Sequence, residues 1–282
     1  MDFGFSEQQR DVQNLARQIL SENVSAEKLS QYDDYKAERF DRELWQKLAE
    51  AGLLGVAVSE EYGGMGFGFF ELGLLVEEAG RTIAPLPLVS HLISAALPIQ
   101  QFGSTAQKQQ WLPGVASGEL MLTAALCEAY NDDPAQPYLT TASADGDGLL
   151  LNGEKTNVPF AHIANRILLA ARTNDGIAVV LLDPKAAGVS LTAQQVTSYE
   201  PQYVLHLDNV RIGAGDILAT GSDGSAAMQW IAERSTVALC AHQLGASDKA
   251  MRMSASYTAE RKQFGVLIST FQAVGHRAAN CF

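Results

Sequence analysis

Arg261, Gln263, Phe264, Gly265 and Gln272 carry side chains suited to a flat, anionic ligand. The Arg261 guanidinium is a planar donor fork that matches a phosphate or pyrophosphate, and the two glutamines add amides. The Phe264 ring can lie against a base or flavin, and Gly265 lets another backbone come close. The stretch from Ser254 to Phe282 reads as the end of one long helix, a break at Gly265, and a second helix. That second helix is expected to be capped by Ser269 or Thr270, with Phe271, Val274 and Ala278 on one face. The plainer alternative is a helix hairpin with a solvated arginine and an aromatic staple. The spacing of these residues does not choose between the two; the elements that must position them do.

The chain has 282 residues, of which 47% are apolar, enough to bury a sizeable core in more than one domain. A net charge of −12 argues against a general nucleic-acid binder. The charge is uneven. Residues 1–119 hold 9 basic against 17 acidic side chains and residues 120–222 hold 5 against 11. Residues 223–282 hold 6 against 4, so the segment with Arg261 is the net basic one, as an anionic nucleotide favours. Cys127, Cys240 and Cys281 are odd in number and far apart, which suits a reduced, cytoplasmic protein better than disulfides or a zinc site. The opening MDFGFSEQQRD lacks the order of a signal peptide, and no apolar run approaches the ~18 residues of a spanning helix. His91 has no second metal-type residue at a useful spacing and reads as an ordinary surface or core histidine.

Hydrophobic periodicity divides the chain into helix, strand and helix again. Residues 1–119 read as helical: a helix capped by Ser6, a second between Asp41 and Gly52, a third ended by Gly80 and the Ala84-Pro85 step, and two short ones joined at Gly103-Ser104. The glycine-rich SEEYGGMGFG excludes regular structure. Residues 120–221 show short strands, with turn signals at Asp145-Gly146-Asp147-Gly148 and at Asn152-Gly153. They predict a β-barrel or sandwich. From Ser222 the helical period returns, and one very long helix with Gly245 tolerated inside it is expected. The fold class is therefore α+β and multidomain: an N-terminal all-α domain (1–119), a middle β domain (120–221) and the start of a C-terminal helical bundle (222–282). Phe282 falls on the apolar face of a helix with no stop signal after it, so the last domain reads as incomplete.

These motifs resemble those of the acyl-CoA dehydrogenase family. R-x-x-F-G…F-Q covers Arg261 to Gln272, and F-S-E-Q-Q, G-L-L-G, E-E-Y-G-G-M-G, F-G-S-T-A-Q-K and W-L-P follow one another in the family's order. L-N-G-E-K and L-D-N-V-R-I extend the likeness through the middle domain. The resemblance implies an FAD-dependent oxidation of an acyl-CoA thioester to the trans-2-enoyl-CoA, with electrons passed to an electron-transferring flavoprotein. Such a site must polarise the thioester and desolvate a carboxylate base. The family's common base lies beyond Phe282. In some members the base sits on the long helix immediately before an arginine, and Glu233-Arg234 matches that position, with Glu233 as base and Arg234 holding the pantetheine or the helix junction. An exposed glutamate beside a structural arginine is the competing reading.

The middle domain departs from the family's flavin motif. Where members have A-L-T-E-P and a small G-S-D loop, this chain has Ala125-Leu126-Cys127-Glu128-Ala129-Tyr130-Asn131-Asp132-Asp133. Where they have W-I-T or W-I-S, it has Asn157-Val158-Pro159. Asn157 cannot stack on an isoalloxazine, and Pro159 has neither hydroxyl nor N–H to donate. By the resemblance, Arg261, Gln263, Phe264 and Gln272 reach a neighbour's FAD, whereas Leu126 and Cys127 face the chain's own. A retained donating half and a degraded receiving half resemble heteromeric members acting on CoA thioesters of steroid side chains. The implied assembly is a homo- or hetero-tetramer in which this chain completes a partner's FAD site. A self-sufficient homotetramer, a non-catalytic scaffold subunit and an acyl-CoA oxidase are the alternatives.

Overall fold

The computed structural model describes residues 4–33 and 38–281. Its first part is helical: α1 (Glu7–Asn23), α2 (Ala26–Ser30), α3 (Arg42–Glu50), α4 (Phe69–Thr82), a π-helical stretch (Val89–Ala96) that runs into α5 (Leu97–Phe102), and α6 (Thr105–Ala116). Sequence signals explain most of the starts. Ser6 and Gln9 form a reciprocal capping box on α1, Ser104 and Gln107 form another on α6, and the Asp41 carboxylate accepts the Leu44 N–H at the start of α3. Gly80 does not end its helix as expected. α4 runs on to Thr82 and stops at Ile83, whose φ of 52° is left-handed.

Eight strands follow: β1 (Leu122–Ala125), β2 (Thr141–Asp145), β3 (Gly148–Pro159), β4 (Arg166–Thr173), β5 (Gly176–Leu182), β6 (Val189–Gln194), β7 (Gln202–Ile212) and β8 (Ile217–Ala219). They form one sheet in the order β6-β7-β3-β2-β4-β5-β8, with β1 parallel to β4. The path does not close, so the expected barrel is replaced by an open, curled sheet. Of the two turn signals, Asp145-Gly146-Asp147-Gly148 makes the β2–β3 hairpin, whereas Asn152-Gly153 lies inside β3 at a bulge. β4 and β5 are apolar at nearly every position because both of their faces are buried. Ile167, Leu169, Ala171, Ala178, Val180 and Leu182 point into the core enclosed by the sheet. Leu168, Ala170, Ile177, Val179 and Leu181 point into a second core shared with the helices.

α7 (Gly221–Glu260) is the expected long helix, 40 residues without a break. Its first half buries Ala227, Met228, Ile231, Ala232, Ser235 and Ala238, and Gly245 is packed against α4. Beyond it, β9 (Lys262–Gln263) and β10 (Val266–Leu267) pair antiparallel, and α8 (Gln272–Cys281) follows. Phe264 (φ 53°) and Gly265 (φ 83°) are the two central residues of that hairpin, both left-handed, which is the type I′ turn whose twist suits paired strands. The break expected at Gly265 is thus a β-hairpin. Neither Ser269 nor Thr270 caps α8: Thr270 Oγ1 donates to the Leu267 carbonyl at 2.6 Å, and the helix starts after Phe271, whose carbonyl accepts from Val274 at 3.0 Å and Gly275 at 3.1 Å. The expectation for Phe282 lies outside the described residues.

Candidate functional site

A cavity of about 700 Å³ lies where helices and sheet meet. One wall is the connection Ile83–Val89 with Ser90 and Ser94, and a second is Ser235, Leu239 and His242 of α7. The sheet supplies Ala124, Leu126, Cys127, Asn157, Pro159 and Phe160, and the loop before β7 supplies Thr197 to Glu200. Ser94 and Ser235 are both buried and share a hydrogen bond of 2.8 Å across the two helices, which satisfies two hydroxyls in an otherwise apolar contact. The lining is mainly apolar with a few convergent polar groups, the usual makeup of a small-molecule site.

The sheet wall is held by a buried ion pair. Lys155 Nζ lies 2.8 Å from Glu128 Oε1, and both side chains are almost fully buried. Glu128 also accepts the main-chain N–H groups of Tyr138 and Leu139 at 2.7 Å and of Thr140 at 3.0 Å. Burial pushes the Glu128 carboxyl up, yet Lys155 and these N–H donors overcome it and hold the pKa at about 2. Burial pulls the Lys155 ammonium down, against the pull of Glu128. The pair ties the loop 128–140 to β3. In the sequence, Glu128 and Lys155 stand only as parts of motifs; an acid just after an apolar strand and a base inside one are the signal they leave.

His91 is wholly buried in the π-helical stretch, its Nδ1 accepting the Leu122 N–H at 3.0 Å at the start of β1. Burial lowers its pKa to about 4. It is a core histidine that joins helix to sheet. Among the described residues, no three His, Cys, Asp or Glu side chains are placed to hold a metal ion.

The residues expected to touch FAD fall into two sets that differ in fit. Arg261 ends α7, its N–H donating to the Tyr257 carbonyl at 2.9 Å, and its side chain is exposed with no acidic partner among the described residues. Phe264 is 94% exposed at the hairpin tip, with Phe271 edge-on at 6.3 Å between centroids. Gln263 and Gln272 are exposed beside it. An exposed guanidinium, a bare ring and two amides around a tight turn are chemically suited to a nucleotide presented from outside the described chain. Leu126 and Cys127 line the cavity, but their surroundings fit a flavin poorly. The Asn157 side chain donates to Gln202 Oε1 at 2.9 Å and its main-chain N–H to Gln194 Oε1 at 2.8 Å, so its amide is committed to neighbours. The Pro159 carbonyl is taken by Thr123 Oγ1 at 2.6 Å.

Glu233 and Arg234 do not join the cavity. Glu233 is exposed and its carboxylate accepts from Gln229 Nε2 at 2.9 Å, one turn earlier on the same face. Ser235 faces the cavity, and two residues of α-helix turn the chain by roughly 200°, so Glu233 points away from it. The Arg234 guanidinium lies 3.8 Å from the centre of the Trp230 ring, a cation–π stack on the helix surface.

Comparison with known proteins agrees with this architecture. Residues 6–119 match the acyl-CoA dehydrogenase N-terminal domain. The chain is 33% identical over 280 residues to acyl-CoA dehydrogenase FadE27 of Mycobacterium tuberculosis, covering 99% of this chain and 72% of that protein. The chain belongs to the acyl-CoA dehydrogenase family. Members of the acyl-CoA dehydrogenase family are FAD-dependent oxidoreductases acting on CH–CH bonds. Among solved structures, a Tcur3481-Tcur3483 steroid acyl-CoA dehydrogenase variant shares 40% identity with a TM-score of 0.89, over 98% of this chain and 73% of that one. The ChsE4-ChsE5 complex from Mycobacterium tuberculosis shares 32% identity with a TM-score of 0.92, over 99% of this chain and 74% of that one. No described helix of this family member is long and apolar enough to cross a membrane.

Proposed function

We propose that this chain is one subunit of a hetero-oligomeric acyl-CoA dehydrogenase, in which it completes the FAD site of a related partner. The reaction is the α,β-dehydrogenation of an acyl-CoA thioester to the trans-2-enoyl-CoA, with an electron-transferring flavoprotein as acceptor and the cytoplasm as location. The two similar solved structures that carry paired names, one of them a steroid enzyme, support a paired assembly and an acyl group with a bulky apolar body. The observation that carries the reading is the opposition between the two FAD-facing sets. Arg261 and Phe264 are exposed on a tight hairpin, while the chain's own wall offers Cys127, Asn157 and Pro159. The division at 119 and 221 goes with it: a helical wall, a sheet wall, and a long helix that carries the donating hairpin.

Co-expression with the neighbouring gene product, followed by measurement of bound FAD, tests this. The lone chain is expected to carry little FAD and the pair about half of the four-site value. Full stoichiometric FAD in the lone chain would instead favour a self-sufficient homotetramer.

The outward position of Glu233 favours a second reading, a subunit that stabilises an active partner and turns over nothing. In the reconstituted pair, Glu233→Gln separates the two. A collapse of turnover makes Glu233 the base, brought to the substrate where another surface covers α7; unchanged turnover leaves the base on the partner.

A further inference from the structure

Two serines on the helical walls of the cavity are bonded in a way that leaves one proton over. A serine or threonine hydroxyl inside a helix commonly donates to a carbonyl one turn back. Thr236 does so to Ala232 at 2.8 Å, Ser225 to Gly221 at 3.1 Å and Ser90 to Pro87 at 3.2 Å. Ser94 and Ser235 do not. Their Oγ atoms lie 2.8 Å apart, and that mutual hydrogen bond is the one each side chain makes among the described residues. Two hydroxyls carry two protons, and the bond between them uses one. The other finds no acceptor among the described residues, although Ser94 and Ser235 are only 4% and 6% exposed. A buried donor left unpaired is costly, and both residues line the cavity, so its acceptor is what fills the cavity: water, or the ligand that displaces it.

Ser94 belongs to the π-helical stretch, closed by the Leu97 N–H on the Leu92 carbonyl five residues back, and such stretches recur at functional sites. The other polar groups of the helical walls compete little for the same ligand atom. The Ser90 hydroxyl is committed to Pro87. Burial pulls the pKa of His242 down, which keeps it neutral at pH 7, and it stands seven residues past Ser235, about 10 Å along α7 at 1.5 Å per residue. Asp33, Arg39 and the segment Thr197 to Glu200 bring their polar groups from other parts of the chain, and the Cys127 thiol is a weak donor. A single hydroxyl proton in a wall of Leu86, Leu88, Val89 and Leu239 suits a neutral acceptor that brings no donor of its own, which is a carbonyl oxygen. An acyl-CoA carries one at the head of its apolar body. We infer that the Ser94–Ser235 pair donates a hydrogen bond to the thioester carbonyl of an acyl-CoA in this cavity, and so fixes where along it the acyl group begins. This deepens the reading of the cavity as an acyl-CoA site and rests on it.

The test titrates dodecanoyl-CoA and S-dodecyl-CoA, a thioether that lacks only the carbonyl oxygen, into the full chain, alone and paired, by calorimetry. The thioester is expected to bind about fivefold tighter. In the double variant Ser94→Ala/Ser235→Ala it should fall to the affinity of the thioether, whose own binding stays within about twofold. Ser94→Cys/Ser235→Cys, close in shape but with weak donors, should do the same, and thermal melts check that both variants fold. The infrared band of an isotope-labelled thioester carbonyl should stand at lower frequency in the wild-type complex than in either double variant, a shift that a purely structural role of the serines would not produce. Equal affinity of the wild type for the two ligands overturns the pair as donor and leaves the acyl-CoA reading standing. A thioester preference or low-frequency band that persists in the double variants also overturns it, because another lining group then holds the oxygen. Failure of both ligands to bind removes the subsite together with the reading beneath it.

Discussion

Gly80 of α4 and Gly245 of α7 stand against each other at the point where the two helices cross. A methyl group on Gly80 would lie 1.9 Å from the His242 carbonyl oxygen, and one on Gly245 would lie 1.9 Å from that of Glu77. The main chains therefore touch with no side chain between them. Beside the crossing, Arg81 pairs with Glu77, Glu78 and Asp248, and Arg17 of α1 reaches Glu78 at 2.7 Å, so three helices share one charged clamp.

Gly245→Ala should force the helices apart. Overpacking of this kind costs roughly 1–3 kcal/mol. A urea titration of the lone chain should show a lower midpoint with an unchanged slope. Ala246→Gly, next to it, should cost no more than about 1 kcal/mol, the intrinsic helix penalty of glycine.

Lys155→Met should be among the most damaging single changes in the sheet. It leaves the Glu128 carboxylate buried with its N–H donors but without its cation, a loss of about 3–5 kcal/mol. The double variant with Glu128→Gln should recover part of that loss, and the comparison of denaturation midpoints checks it.

Two buried groups make stability fall on acidification, in successive pH windows. His91 has a folded pKa of about 4, below its unfolded value near 6.5, so the unfolded chain binds the extra proton first. Its contribution is whole above pH ~6.5 and is lost as pH falls towards 4, up to ~3 kcal/mol at one proton. Glu128, with a folded pKa of about 2, adds a second loss of similar size below pH ~4.5. Denaturant midpoints at pH 7, 5 and 4 should fall stepwise, and His91→Gln should flatten the step between 7 and 5.

Phe264→Ala and Arg261→Ala should leave the melting of the lone chain within about 1 kcal/mol, since both side chains are exposed. In the assembled pair, each should weaken FAD retention by about tenfold or more, read from flavin fluorescence on dilution. Retention equal to wild type in both variants would contradict the proposed role of the hairpin.

The elements were legible where their signals are local. Ser6, Asp41 and Ser104 announce helix starts, and the proline-free run after Ser222 announces α7. What escaped depends on partners distant in sequence. Gly245 looks like a defect until α4 is seen against it, and Asn152-Gly153 looks like a turn until β7 pairs across the bulge. Ser94 and Ser235 are 141 positions apart, so only the folded chain brings them to one cavity. The segment from Arg261 to Gln272 stands out in the sequence because its polar and aromatic residues lie within a dozen positions, although its β-turn geometry does not.

Among the described residues, α7 is packed against α4 and the sheet in its first part, and its last turns carry the hairpin. The hairpin begins 16 residues past Gly245, about 24 Å along the axis at 1.5 Å per residue. A tilt of about 5° at the glycine contact would swing Arg261 by ~2 Å, more than a hydrogen bond tolerates. The tightness of one helix crossing thus sets the aim of the hairpin, and under the proposed assembly substitutions far from any cofactor would loosen a partner's grip on it.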